Sequence, residues 1–496
     1  MKHVCVLVLT LSTTMTFAQM WQGPYQLTTD GASDINPAVC REWVFPNMTC
    51  MVWQTNRNGN WDIYSRFCSY VQGNGWMSEE PITLSAAEDI NPAVASVNDM
   101  HDSPSYWCIW ERAESPVMHT VRAAFFTWRD QWRDTALLAH VPLNPGEAAT
   151  PSAIVMQGGS LDTTWVVWHG HDTSGHYIGY AFHDGVAWCQ PGVVVWSANP
   201  IAHVRIGRGT PPGQSWPCCP LLVWEKAGDI YYSEYLAGNW TTPVSVAPSG
   251  AYDCAPEVVS RDLMLGMDPS IVWQSTRGGD TAIYGTTLDS IATAERLCNP
   301  SPCGSNLAPS GVPAAFPVLD QNSFITVWTT SRNGNPDIYS SAVFTGQEDI
   351  PVNQNPALDS NPVITAMGLT EVWCCWQSDR SGNWDLWGSF IYASGIEEGA
   401  TLATAPPALE VLPNPCHART ELRLSPALGH ARELRIHDHA GRLVRTLPVS
   451  YMLHATFSSL TWDCTDNTGR RVPDGCYFVS LKTDRATIRR KLIVTK

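Results

Sequence analysis

Four aspartates stand at matching places in a repeating pattern: Asp34, Asp89, Asp253 and Asp359 each precede a short apolar stretch. Paired carboxylates are what glycoside hydrolysis needs, one to protonate the leaving oxygen and one to attack or to activate water. A catalytic pair occurs once in a site, however, so acids that recur from repeat to repeat point to a turn role. A sialidase would add a set of arginines and repeated Ser-x-Asp-x-Gly-x-x-Trp turns, and the sequence offers neither. Gly-x-Ser-x-Gly, His-Glu-x-x-His and phosphate-binding glycine loops are also absent from it. His169-Gly170-His171 with His176 has the chemistry of metal ligands. No neighbouring carboxylate or cysteine completes a shell in the sequence, and the segment reads as a surface turn. Asn56-Arg57-Asn58-Gly59-Asn60-Trp61-Asp62 spaces oxygen side chains around a glycine as a calcium loop does. It lacks early carboxylates and a closing Glu, and Asn-Gly is the usual hairpin turn. The sequence therefore assigns no catalytic, cofactor-binding or metal-binding residue, and no cofactor is expected.

The elements that would position such groups are short strands. Charged residues make up only 15% of the 496, against 36 Gly, 36 Pro and 23 Trp, a balance that favours turns and face-to-face strand packing over helices. A tryptophan recurs at Trp53, Trp110, Trp168, Trp224, Trp273, Trp328 and Trp376, with intervals of 57, 58, 56, 49, 55 and 48 residues. Around each lies the same succession. A first strand such as Asp34-Ile35-Asn36-Pro37-Ala38-Val39 leads to an apolar strand with the Trp, then a polar turn. A third strand such as Asp62-Ile63-Tyr64-Ser65 follows, then an outer strand opened by a Trp-Pro signal, as at Trp76 and Trp240. Four strands per repeat predict a seven-bladed β-propeller with the tryptophans between blades. The last repeat lacks its outer strand, and Trp21 to Thr28 supplies a matching one that would fasten the ring's two ends together.

The repeats resemble those of TolB-type propellers. The likeness is strongest in Gln54 to Tyr64, Thr330 to Tyr339 and Gln377 to Trp387, and weakens in the second to fourth repeats. It implies a fold and an interaction role and names no ligand.

Beyond a Pro/Ala-rich stretch, Thr401 to Leu409, arginine becomes frequent and the tryptophan repeat stops. The landmarks there are Val411-Leu412-Pro413-Asn414-Pro415, Asp438 with Gly441-Arg442, Trp462-Asp463-Cys464-Thr465-Asp466, Val472-Pro473-Asp474-Gly475-Cys476 and a basic end, Arg489-Arg490-Lys491. They read as alternating strands of a small β-sandwich. In order and chemistry they resemble the FlgD-like immunoglobulin-type domain and the C-terminal sorting domain of the type IX secretion system. The family commonly carries Gly at position 464 and an apolar residue at position 476, and the two cysteines here suggest a disulfide across the hairpin region.

The N-terminus joins the positive Lys2 and His3 to an apolar run, Val4 to Leu11, and the small residues before Gln19. This reads as a cleaved signal peptide, too short to span a bilayer. Sixteen cysteines suit an oxidising destination; removal of Cys5 leaves an odd number, with Cys40/Cys50, Cys298/Cys303 and Cys464/Cys476 as close pairs. A net charge of −16 argues against a nucleic-acid partner, since phosphate neutralisation needs clustered Lys and Arg, and no membrane span is expected either. The expected organisation is a signal peptide (1–18), an all-β seven-bladed propeller (19–393), a linker (394–409) and a FlgD-like sorting domain (410–496). The expected function is that of a secreted or cell-surface binding protein of a Gram-negative-type bacterium. Its partners would be the type IX secretion machinery and a protein or glycan on the propeller. The alternative is a secreted glycosidase or sialidase-like hydrolase with its site in the propeller channel.

Overall fold

The computed structural model describes residues 21–495 except 42–47, 70–74, 98–104, 128–130, 157–161, 211–217, 261–267, 299–305, 314–323, 343–348, 368–370, 393–408, 413–415, 418, 425–430, 439–441, 448–457 and 484–486. The expected signal peptide, nearly all of the linker, Pro413-Asn414-Pro415 and Cys303 lie outside the described residues. The chain forms two compact units, Met1–Ile396 and Glu397–Lys496. No helix among the described residues is long and apolar enough to cross a membrane.

In the first unit each repeat becomes one antiparallel sheet. The first sheet pairs Asp34–Arg41, Met48–Thr55 and Asp62–Ser69 in order, and the short segments Gly75–Trp76 and Glu80–Pro81 lie against its third strand. Six more sheets start from Glu88–Val97, Ser152–Met156, Ile201–Gly209, Asp253–Val259, Asn306–Pro313 and Asp359–Met367. These seven first strands touch one another in chain order, and Asp359–Met367 returns against Asp34–Arg41. The arrangement is a β-propeller, a ring of sheets with each first strand innermost. The last sheet takes its outer strand from the other end of the chain, Gln22–Gln26 pairing antiparallel with Asp385–Tyr392.

Sheets stacked face to face bury their second strands on both sides, so hydrophobic-polar alternation disappears there. Every residue of Phe324–Thr330 and of Glu371–Ser378 is buried. All seven repeat tryptophans are at most 2% exposed, which makes them core residues and removes them as sugar-stacking platforms. Strand periodicity also explains the Cys374-Cys375 pair. The two point to opposite faces, Cys374 into the cluster with Ile325 and Trp376, Cys375 into the one with Met51 and Trp53. Burial pushes both thiols well above the ordinary cysteine range, as expected of inert core residues.

The second unit has a three-stranded sheet (Leu409–Leu412, Thr420–Leu424, Ser458–Trp462) and a four-stranded one (Leu443–Leu447, Ala431–Asp438, Gly475–Thr483, Thr487–Val494). Both contribute to one core, with Leu422 and Trp462 from the first meeting Leu434, Ile436, Val479 and Leu492 from the second. The Trp-Asp-x-x-Asp turn is held by its own acids. Asp463 Oδ1 accepts from Thr465 Oγ1 at 2.6 Å, and Asp466 Oδ1 from the Thr468 and Arg470 amides at 2.8 and 3.0 Å. Cys464 has a φ of 56°, a left-handed conformation that suits glycine better. The Cys464 sulfur lies 3.3 Å from that of Cys416, and the backbone of Cys476 stands opposite Ile493 in its strand pair.

Candidate functional site in the propeller channel

The recurring aspartates prove to be structural latches. Asp34 is fully buried and accepts a hydrogen bond from Trp53 Nε1 at 3.0 Å while facing Arg57 at 3.1 Å. Asp89 does the same with Trp110 at 2.9 Å and Arg112 at 2.6 Å, and Asp359 with Trp376 at 3.0 Å and Arg380 at 2.9 Å. Asp253 keeps the arginine alone, Arg277 at 2.6 Å. Asp34, Asp89 and Asp359 thus tie their innermost strands to the Trp of the second strand, and all four carboxylates engage an arginine on or just after that strand. A buried acid engaged this way is in no position to meet substrate.

The polar turns are equally self-contained. Asn58 Nδ2 donates to Asp62 at 3.0 Å, and Asn60 Nδ2 to the carbonyls of Ser85 and Ala87, both at 3.0 Å. Asn333 and Asn335 repeat both contacts with Asp337, Asn355 and Ala357. Gly59, Gly334 and Gly382 share a φ of 97°, which the turn requires and side chains resist. Asp62 Oδ1 is taken up by the Ser85 amide at 3.1 Å, so the turn chemistry accounts for the calcium-like spacing.

Six of the seven innermost strands carry a bulge just after their first residues, Ser152–Met156 being the exception, and in five of them the residue there is left-handed: Asn36, Asn91, His203, Ala255 and Asn361 have φ between 48° and 52°. At the bulge, or at the left-handed Thr150 just before Ser152–Met156, a backbone N–H is left out of the strand ladder. The residue after the core tryptophan of the preceding sheet receives it. Gln54 Oε1 accepts from Asn91 N at 3.0 Å, Glu111 Oε2 from Thr150 N at 3.1 Å, and Gln377 Oε1 from Asn36 N at 3.0 Å, the last across the ring closure. Burial pulls Glu111 toward a high pKa. Hydrogen bonds from His119, Asn91, Ala149 and Thr150 outweigh it and hold the carboxyl below its ordinary value.

The seven innermost strands line a cavity of about 530 Å³. One arc of its mouth is a relay of amides: Asn361 Nδ2 donates to Asn36 Oδ1 at 3.1 Å, Asn36 Nδ2 approaches Asn91 Oδ1 at 3.4 Å, and Asn91 Nδ2 donates to Glu111 Oε2 at 2.9 Å. Across the ring Arg205 faces Glu257 at 3.4 Å, with side chains 34% and 26% exposed. Burial pushes the Glu257 carboxyl above its ordinary value, and Arg205 offsets only part of this. Among the described lining residues Glu257 is the sole carboxylate. The described lining therefore offers an asymmetric set of hydrogen-bonding groups, and no two carboxylates are paired among its described residues.

The histidines lie elsewhere. They belong to two paired strands, Thr163–Asp172 and Gly175–His183, with His171 directly opposite His176; the expected surface turn is the short connection between them. His169 is buried and its Nε2 lies 3.1 Å from His176 Nδ1. Burial lowers the pKa of both His169 and His176, and His171 beside His176 lowers it further, so the two rings are neutral near pH 7. Glu147, which no sequence pattern singles out, reaches this cluster from the connection preceding the third sheet.

Neither a family model nor a curated protein matches the chain. Solved structures with a similar backbone include a protein of unknown function from Dyadobacter fermentans, at TM-score 0.42 and 10% identity, covering 75% of this chain and 99% of its own. A six-bladed β-propeller lectin from Aleuria aurantia aligns at TM-score 0.38 and 11% identity over 66% of this chain and 97% of its own. A leech intramolecular trans-sialidase aligns at TM-score 0.37 and 11% identity, over 72% of this chain and 67% of its own. Likenesses this distant transfer no activity.

Proposed function

We propose that this chain is an exported binding protein, a seven-bladed propeller of TolB-like repeats that receives a polar ligand, a glycan or a peptide, at its channel. The observation that carries this is the fate of the acids. Four recurrent aspartates are consumed in latches, and among the described residues the channel keeps one carboxylate, Glu257 beside Arg205, with Arg208 and an arc of amides. Such a lining suits hydrogen-bonding recognition, whereas two-carboxylate hydrolysis needs a second acid. Residues 410–496 are assigned as a FlgD-like immunoglobulin-type sorting domain that hands the protein to a type IX secretion machine for release or surface attachment. The left-handed φ of 56° at position 464, where that family commonly has Gly, supports the resemblance.

Glycan and peptide arrays probed with the intact chain and with Arg205→Ala and Glu257→Gln variants test the binding role. The wild type should retain ligands that both variants lose, with melting temperatures unchanged. Turnover of chromogenic glycosides that depends on Glu257 would replace this reading with the hydrolase. For export, removal of residues 410–496 should trap the propeller in the periplasm, and unchanged surface delivery would refute the sorting assignment.

A further inference from the structure

We infer that Glu147, His171 and His176 form a binding site for a divalent transition-metal ion of the zinc type, separate from the channel. One ligand atom from each lies within 4.8 Å of the others. Two imidazoles with one carboxylate are a known donor set for zinc, leaving a coordination position for water or a ligand group. The site is assembled by backbone that already has other reasons to be where it is.

His171 and His176 are held by strand register. They are cross-strand partners beside the hairpin's end, and their rings stack with centroids 4.0 Å apart. Glu147 is placed by a tight turn, Asn144-Pro145-Gly146-Glu147, closed by the Glu147 amide donating to the Asn144 carbonyl at 3.0 Å. Proline in the second place and glycine at φ 88° in the third are what a type II turn demands. The Asn144 side chain and amide then grip the Glu147 carboxylate at 3.2 and 3.0 Å, and Glu147 Oε2 comes to 3.5 Å from His171 Nδ1.

The surroundings fit an ion. His169 bonds to His176 from inside the sheet at 3.1 Å and acts as a positioning residue, as outer-shell partners of metal-ligating histidines do. Gly170 stands between two of the histidines because a Cβ there would lie 2.2 Å from the Tyr177 ring. The His171 and Glu147 side chains are 23% and 27% exposed, which gives an ion a way in. Ligand atoms around a tetrahedral ion at ~2.0–2.2 Å sit ~3.4 Å apart, so modest side-chain rotation closes the present spacing. Neither the amide relay nor the aspartate latches are touched by this chemistry, so the site stands whether or not the channel binds a glycan or peptide.

The test is a zinc titration of the chelator-treated full chain by calorimetry, with cobalt(II) absorption as an independent report of coordination. Wild type should take up one equivalent that His171→Ala and His176→Ala both lose. Glu147→Gln, on an exposed turn where folding is not at stake, should bind about tenfold or more weakly. Buried thiols are common to all four proteins and cancel in the comparison. Equal zinc affinity of wild type and Glu147→Gln, or no uptake by a wild type with native circular dichroism, would overturn the assignment.

Discussion

Gln377 Oε1 accepts the backbone N–H of Asn36 at 3.0 Å across 341 residues, and this bond closes the propeller. It repeats the contact that Gln54 makes to Asn91 within the continuous chain. The closure is thus one more copy of the joint used between adjacent sheets, reinforced by Asn383 Nδ2 on the Asp30 carbonyl at 3.2 Å and by the Gln22–Gln26 strand.

Removing this acceptor should loosen the seam first. Gln377→Ala leaves the Asn36 N–H and the Asn361 side chain without their shared partner, at a cost of ~1–3 kcal/mol. Hydrogen exchange should accelerate in Asp34–Arg41 and Asp359–Met367 and stay unchanged in Asp253–Val259. Uniform acceleration would show that the seam has no special role.

Breaking an aspartate latch should destabilise without touching binding. Asp34→Ala leaves the buried Trp53 indole N–H without its acceptor and takes one of three carboxylates from Arg57, which keeps Asp30 and Glu79, a loss of roughly 1–3 kcal/mol. Urea denaturation with ligand binding measured on the folded fraction separates the two effects. Lost binding at full folding would return Asp34 to the functional site.

Glu111 makes a prediction about acid. Its folded pKa is lowered, so it contributes stability at pH above its unfolded value, and that contribution is lost as pH falls through the folded value. Glu111→Gln should therefore cost ~1–3 kcal/mol at pH 7 and progressively less toward acid, because protonation does to the wild type what the substitution does at neutral pH. Melting curves of both proteins from pH 7 downward should converge. Parallel curves would show that Glu111 titrates normally.

Cys416 and Cys464 should become a disulfide in oxidising surroundings, since their sulfurs already lie 3.3 Å apart in the second unit's core. Peptide mapping under non-reducing conditions should recover the two peptides linked. A Cys464–Cys476 linkage in the same map would restore the pairing suggested by family resemblance.

The propeller was legible because its physics is local and repeated. A tryptophan every 48 to 58 residues, a hairpin turn after it and an aspartate before it each leave a mark in one short stretch. The missing outer strand of the last repeat and its match at Trp21 to Thr28 were legible for the same reason. The roles of individual polar residues were not. Asp34 reads equally as acid or latch until Trp53 and Arg57 are seen on its oxygens. Nothing near Cys464 in the sequence points to Cys416, which folding brings beside it from 48 residues away. The carboxylate that joins the histidines is Glu147 from the preceding connection, 24 residues before His171, and not the adjacent Asp172. Periodicity determines which strands form and in what order, because each strand answers to its own alternation of residues. Which polar groups meet depends on register, bulges and the closing of the ring, and those are properties of strands in contact.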